Sequence, residues 1–186
     1  WDPLLTLTGN STTADIRSIN ANDNDVFIGG MFDAANGNSK INFADLNVSN
    51  ATAKSPNPAP DYYVYAIVIN GSQIILGGQF TFLSKNNRPY CASIRHSTGK
   101  ATAFKPSPDY IVYDLAHNAS KLFIVGAFDN AGGQSRAGAA AFNLPSGNLS
   151  NGWNANLSYG GFATSADLYS VAANDSVVYL GGNFDK

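Results

Sequence analysis

The chain has 186 residues, a net charge of −2, 44% hydrophobic residues and only 13% charged residues. This length can build one sizeable core, while the sequence has neither a basic stripe for nucleic acid nor the apolar stretch of about 18 residues that spans a bilayer. All 13 acidic residues are Asp, and Gly and Asn are abundant. Strong helix formers are therefore scarce and turn formers frequent, which predicts an all-β protein.

Residues 1–8 contain a segment that recurs near the other end of the chain. Trp1-Asp-Pro matches Trp153-Asn-Ala, and each tryptophan lies 14 residues before an aspartate, Asp15 or Asp167. The two tryptophans are 152 residues apart, which is the sum of the three repeat spacings described next. We therefore interpret residues 1–8 as the last strand of a preceding repeat.

The main repeat is an apolar strand that ends in glycine and phenylalanine. It occurs at 26–32, 74–80, 122–128 and 178–184, and its phenylalanines are spaced by 48, 48 and 56 residues. Another apolar strand precedes each copy, at 16–19, 64–67, 112–115 and 168–171. The turn between the two strands places an asparagine at one position: Asn22, Asn70, Asn118 and Asn174. A third strand carries Ala44, Ala92 and Ala140 in register, and a fourth is predicted around 101–104.

Four short strands in about 48 residues are typical of a β-propeller blade. We predict antiparallel blades at about 14–56, 62–105 and 110–157, and the start of a further blade at 166–186. Because these do not close a ring, we expect a fragment of a larger propeller, with other blades of the same protein as its partners. Glycines suit a crowded inner strand, and the phenylalanine suits an apolar anchor between blades. These structural roles are assigned to Gly30, Phe32, Gly78, Phe80, Gly126, Phe128, Gly182 and Phe184.

Acceptor sequences for N-glycosylation are more frequent than composition explains. Eight occur where the numbers of Asn, Ser and Thr would give about three by chance. They begin at Asn10, Asn47, Asn50, Asn70, Asn118, Asn148, Asn156 and Asn174. One interpretation is secretory passage with N-linked glycans on surface turns, and the alternative is that Asn-rich turns produce such triplets by accident.

Catalytic, cofactor and metal sites are not predicted. His96 and His117 occupy different positions in their repeats and have no cysteine partner, so both are interpreted as exposed turn residues. Cys91 is the only cysteine and is predicted to be a small buried side chain. Asp114 has no acidic equivalent in the other repeats and is interpreted as a hydrogen-bonded strand residue. We therefore predict that the chain is not an enzyme.

Exposed aromatic residues and one insertion remain as candidate binding features. Tyr62, Tyr63, Tyr110 and Tyr159 stand near Pro- and Gly-rich connections, where propellers usually bind partners, although shared structure explains Tyr62 and Tyr110 equally well. The insertion at 149–166 carries the eight extra residues of the third repeat and is predicted to project as a loop.

Several segments together resemble one protein family. They are Val26-Phe-Ile-Gly-Gly-Met-Phe32, Asn42-Phe-Ala-Asp45, Val64-Tyr-Ala-Ile67, Ile74-Ile-Leu-Gly-Gly-Gln-Phe-Thr81 and Ser97-Thr-Gly99. The sequence resembles the fungal cortical landmark glycoproteins of axial and bipolar bud-site selection. That resemblance implies a kelch-like or galactose-oxidase-like propeller ectodomain, and a membrane anchor that would lie outside this chain.

The functional expectation is a non-catalytic scaffold at the cell surface. By resemblance it would act as a landmark for polarised growth and bind a surface protein partner, with no nucleic acid and no cofactor. The alternative is a carbohydrate- or peptide-binding propeller module of another secreted or surface protein, and a third possibility is an enzyme whose catalytic residues lie in other blades.

Overall fold

The computed structural model describes residues 1–8, 13–55, 57–160 and 166–185. These residues form 18 β-strands and no α-helix. In the described ranges, accordingly, no helix has the length and hydrophobicity needed to cross a membrane. The predicted all-β fold with antiparallel strands is confirmed.

Four antiparallel sheets follow one another along the chain. Sheet 1 contains β2 (Asp15–Ala21), β3 (Asp25–Met31) and β6 (Phe43–Asn47). Sheet 2 contains β7 (Val64–Asn70), β8 (Gln73–Gly78) and β11 (Cys91–Arg95). Sheet 3 contains β12 (Val112–His117), β13 (Lys121–Gly126) and β16 (Ala139–Asn143). Sheet 4 contains β17 (Asp167–Ala173) and β18 (Val178–Asn183).

Short hairpins connect the second and third strands of sheets 1, 2 and 3. They are β4 (Ala34–Ala35) with β5 (Asn38–Ser39), β9 (Phe82–Leu83) with β10 (Asn86–Asn87), and β14 (Asn130–Ala131) with β15 (Gln134–Ser135). The strand β1 (Leu5–Thr6) pairs with β4, so residues 1–8 lie beside the hairpin of sheet 1.

The fourth strand of each predicted blade is reduced to one bridging residue pair. Ala53 bridges Leu46, Ala101 bridges Ile94, and Leu149 bridges Phe142, each in antiparallel fashion. The residue after each bridge donates one more backbone hydrogen bond to the third strand, but no regular strand forms, so sheets 1 to 3 contain three regular strands rather than four.

Apolar side chains fill the spaces between successive sheets. Phe27 of sheet 1 packs with Val64 and Phe80 of sheet 2. Phe128 of sheet 3 packs in the same way in the cluster shared with sheet 2, and a third cluster joins sheets 3 and 4. Phe80 and Phe128 therefore lie between sheets, where burial of each aromatic ring contributes roughly 1.5–3 kcal/mol.

The other two repeat phenylalanines lie in the two end sheets. Phe32 is buried on the same face of sheet 1 as Phe80 in sheet 2, because its buried neighbours are the repeat equivalents of those of Phe80, and Leu5 and Ala14 pack against this cluster. Phe184 is exposed at 38%. Phe32, Phe80 and Phe128 therefore occupy matching buried positions in their sheets, and Phe184 differs in being exposed.

The insertion at 149–166 packs against the fold over much of its described part. Trp153 contacts the ring of Phe123, with centroids 5.3 Å apart, and Leu157 is buried in the cluster between sheets 3 and 4. The predicted projecting loop is therefore wrong for this part of the segment, because its apolar side chains cover the core. Residues 161–165 lie outside the described residues.

Candidate ligand-binding site

A β-bulge occurs at the same place in the first strand of all four sheets. In sheet 2, Val64 faces Gly78 and Ala66 faces Gly77, which leaves Tyr65 as the extra, unpaired residue. The same shift leaves Tyr113 and Tyr169 unpaired in sheets 3 and 4, and Arg17 in sheet 1. A bulge redirects the side chain of its extra residue, so the bulge determines where these four side chains point.

The repeated second glycine makes room for this bulge. A Cβ atom on Gly78 would lie far inside contact distance of the Tyr63 carbonyl oxygen, and the same holds for Gly126 against the Ile111 carbonyl oxygen. Gly30 and Gly182 meet the equivalent backbone atoms of sheets 1 and 4. These glycines lie in the second strand of each sheet and not, as predicted, in an inner strand. Glycine is needed here because the bulged chain of the first strand approaches closely and leaves no space for a Cβ atom.

Three tyrosines form a row across sheets 2, 3 and 4, which we call the tyrosine row: Tyr65, Tyr113 and Tyr169. The ring centroids are 5.9 Å apart between Tyr65 and Tyr113, and 5.5 Å apart between Tyr113 and Tyr169. Both pairs are tilted by nearly the same angle, 47° and 46°. With Arg17, these rings line an open concavity of about 350 Å³.

A cationic group lies at the sheet 1 end of the row. The Arg17 guanidinium carbon is 5.9 Å from the centre of the Tyr63 ring, and Tyr63 stacks on Tyr65 with an interplanar angle of 13°. Arg17 Nη2 is also 2.6 Å from Asp15 Oδ2. Because Asp15 balances its charge, the row has little net charge at this end.

The Tyr65 and Tyr113 hydroxyls lie in surroundings that disfavour loss of the phenol proton, and the row offers hydrogen-bonding groups at its edge. Burial raises the pKa of Tyr65, and burial together with the charge of Asp167 raises the pKa of Tyr113. The Tyr65 hydroxyl donates to Gln79 Oε1 at 3.1 Å, and the Tyr169 hydroxyl accepts from Asn183 Nδ2 at 3.2 Å. The concavity thus combines aromatic faces with uncharged groups that can both donate and accept.

A second group of polar side chains lies between sheets 1 and 2, and we call it the Asp–His cluster: Asp25, Asp45 and His96. Its potential ligand atoms lie within 4.8 Å of one another. Within the described residues, these three side chains form the group of His and Asp close enough together to hold a metal ion. His96 Nε2 is 2.9 Å from Asp45 Oδ2 and 3.8 Å from Asp25 Oδ2. Both aspartates are buried, and Lys54 Nζ forms an ion pair with Asp25 Oδ1.

Burial dominates the electrostatics of the Asp–His cluster. Burial raises the pKa of Asp45, and the nearby charge of Asp25 raises it further, against the lowering effect of His96. The Asp45 Oδ1 atom is buried and has no hydrogen-bond partner. His96 packs edge-on against Phe27, with ring centroids 5.1 Å apart, so it is not the exposed turn residue that the sequence suggested.

No protein-family model matches this sequence, and no curated protein matches it. Solved structures similar to it include the computationally designed Ika4 protein, with a TM-score of 0.60 and 13% identity over 97% of this chain and 93% of that one. Another is the computationally designed Ika8 protein, with a TM-score of 0.58 and 10% identity over 95% of this chain. The chain spans 45% of the length of Ika8. At such low identity, the similarity concerns the fold alone.

Of the described glycosylation candidates, Asn47 and Asn70 are the last residues of strands, and the others lie in connections between strands. Asn50, Asn148, Asn156 and Asn174 are exposed, while Asn47, Asn70 and Asn118 are partly buried, and Asn10 lies outside the described residues. Several serve the backbone: Asn118 Oδ1 accepts from the amides of Ser120 and Lys121, and Asn174 Oδ1 accepts from those of Ser176 and Val177. This turn geometry gives these asparagines a structural reason to recur.

The other residues considered at the sequence level have clear environments. Cys91 is a free, buried thiol whose pKa burial raises, and Asp114 accepts hydrogen bonds from the Leu115 and Val171 amides, as predicted. Tyr62, Tyr110 and Tyr159 are exposed, and Tyr62 contacts the Tyr63 ring that stacks on Tyr65 of the tyrosine row. The row itself was missed, although Tyr65, Tyr113 and Tyr169 share one repeat position, because alternation along a strand does not reveal a bulge.

Proposed function

We propose that this chain is a non-catalytic binding module whose tyrosine row holds a saccharide. The observation that carries this proposal is the repeated bulge, which turns Tyr65, Tyr113 and Tyr169 into one concavity. In three separate sheets, a β-bulge turns a tyrosine side chain towards the same surface. Bulges commonly occur next to active sites, where they redirect side chains.

In this proposal the four sheets are successive blades of a propeller. The first strands support this arrangement, because β2 lies against β7, β7 against β12 and β12 against β17. The apolar clusters support it as well, since each joins one sheet to the next. The tyrosine row would then border the central axis, where propellers commonly bind ligands.

Apolar repeat positions that are buried in the inner sheets are exposed in sheets 1 and 4, which supports the packing of further blades against these end sheets. Ile19 of sheet 1 is 65% exposed, whereas its equivalents Ile67 and Leu115 are buried against the preceding sheet. Tyr179 of sheet 4 is also 65% exposed, whereas its equivalent Ile75 is buried against the following sheet. Exposed apolar positions of this kind need a covering surface.

The chemistry of the row favours a saccharide. A sugar ring presents C–H groups on its faces and hydroxyl groups at its edge, so an aromatic face can pack against the ring while amides and phenols bind its hydroxyls. Gln79 and Asn183 place amide groups beside two of the rings. A strongly charged ligand has less to bind here, since Arg17 is paired with Asp15.

A glycan array tests this function. We expect selective binding by the chain, a loss of at least tenfold in affinity for Tyr113→Ala, and unchanged binding for Tyr179→Ala, a control on an exposed tyrosine away from the row. Melting curves establish that both variants fold. If the array shows no binding while a proline-rich peptide binds in a Tyr113-dependent way, the ligand class is peptide and the saccharide proposal is wrong.

We also propose a setting at the cell surface, as a glycoprotein scaffold with a surface protein partner. The exposed turn positions of Asn50, Asn148, Asn156 and Asn174 support glycan attachment, and the resemblance to bud-site landmark proteins supports a role in polarised growth. Secretion of the chain from a eukaryotic host, followed by enzymatic removal of N-glycans, tests this. A shift in mass at these asparagines is expected, and an unmodified secreted chain would refute it.

A further inference from the structure

We propose that the Asp–His cluster is a binding site for a divalent transition-metal ion of the zinc class. The cluster has no part in the saccharide site, since it lies in the interface between sheets 1 and 2. Asp25 begins β3, Asp45 lies in the middle of β6, and His96 follows directly after β11 of the other sheet. An ion at this point would join the two sheets.

The spacing of the ligand atoms suits such an ion. Ligands about 2.0–2.1 Å from a tetrahedral zinc ion lie about 3.3 Å apart. The distances from His96 Nε2 to the carboxylate oxygens of Asp45 and Asp25, 2.9 and 3.8 Å, fall on either side of this value. Imidazole nitrogen and carboxylate oxygen are both ligand types that zinc accepts, and with three protein ligands a fourth position stays open for water.

An unpartnered atom provides independent support. Asp45 is only 2% exposed, yet its Oδ1 atom has no hydrogen-bond partner. A buried carboxylate oxygen without a partner typically costs more than 1–3 kcal/mol, so a native structure should provide a compensating group. A metal ion bound to this carboxylate would supply that compensation.

Two lysines near the cluster limit the affinity without blocking the site. Lys54 Nζ binds Asp25 Oδ1 and the Asn24 carbonyl oxygen, which leaves Asp25 Oδ2 facing His96. The Lys40 ammonium interacts electrostatically with Asp45 and also donates to the Lys54 carbonyl oxygen. Because these positive charges compete with the ion, we expect weaker binding than at a structural zinc site with four protein ligands.

Equilibrium dialysis of the metal-freed chain against zinc chloride, followed by elemental analysis, tests the site. We expect one zinc ion per chain, at least tenfold weaker binding for His96→Ala and for Asp45→Asn, and unchanged binding for His117→Ala, a control on the other histidine. Lys54→Gln removes a competing charge, so we expect this variant to bind zinc more tightly.

The Lys54→Gln variant keeps the test decisive if the others unfold, because unfolding cannot strengthen binding at a site built from two sheets. Cobalt substitution adds a spectroscopic signature of nitrogen and oxygen ligation, which should disappear in His96→Ala. Absence of bound zinc in the unmodified chain, or equal binding by the chain and His96→Ala, would overturn the proposal.

Discussion

The interface between sheets 1 and 2 and the interface between sheets 2 and 3 have the same backbone plan but differ at one buried point. The first interface contains Asp25, Asp45 and His96. At the positions 48 residues later, the second contains Gln73, Ser93 and Leu144, where the Ser93 hydroxyl lies 2.7 Å from Gln73 Oε1. A neutral pair is therefore sufficient for this fold. The buried charges of the first interface are a specialisation, which is the reason to look for a ligand there.

His96→Ala should produce the largest effect that separates the two interfaces. It removes the group that faces both aspartates, including the imidazole nitrogen 2.9 Å from Asp45 Oδ2. Because His96 is partly exposed, we expect a loss of about 2–3 kcal/mol in the free energy of unfolding in metal-free buffer. Urea denaturation measures this loss. His117→Ala is the control, and an equal loss in both variants would contradict the importance of the cluster.

Gly29→Ala and Gly77→Ala should destabilise both interfaces alike, by about 2 kcal/mol. The added Cβ would lie 2.6 Å from Val64 Cγ1 in the first case and 2.8 Å from Val112 Cγ1 in the second, so the next sheet would have to move. Gly181→Ala is the matched control, because its Cβ would come no closer than 3.8 Å to Ser170.

Thermal melting of these three glycine variants gives the comparison directly. A clear difference between Gly29→Ala and Gly77→Ala would show that the two interfaces do not share one packing plan. A strong effect of Gly181→Ala would show that contact with the next sheet is not the cause of the losses in the other two variants.

Ser93→Ala should cost about 1 kcal/mol, less than the loss at His96. The change removes one neutral hydrogen bond to Gln73, and Gln73 is only partly buried, so the amide can turn towards water. Urea denaturation under the same conditions compares the two variants. A loss as large as that of His96→Ala would remove the distinction between the charged and neutral interfaces.

Acid should weaken sheets 2 and 3 to a similar, small extent through their hairpins. Burial raises the pKa of Asp61 and Asp109, but hydrogen bonds from Phe82 and Thr81, or from Asn130 and Asp129, outweigh it and leave both pKa values below the ordinary one. Their stabilisation is therefore complete above the unfolded pKa of about 4 and is lost as the pH falls through the lower folded value. Melting temperatures measured from pH 6 to pH 2 for Asp61→Asn and Asp109→Asn should fall less steeply than those of the unmodified chain.

Sequence reasoning succeeded where the cause is local and failed where it is distant. The repeat of apolar segments with glycine and turn-forming residues was sufficient to predict an all-β chain of short antiparallel strands. The meeting of His96 with Asp45, 51 residues earlier, depends on how two sheets pack and leaves no local pattern.

The residues that shape the β-bulge are different from the residue whose side chain it presents. Its geometry depends on glycine in the neighbouring strand, while the residue it displays is Arg17 in one sheet and tyrosine in the other three. Substitution at the displayed position changes what the surface offers to a ligand and leaves the supporting backbone intact. If the row binds a ligand as proposed, each sheet would contribute one exchangeable contact, and a single substitution in one sheet would change the specificity of binding.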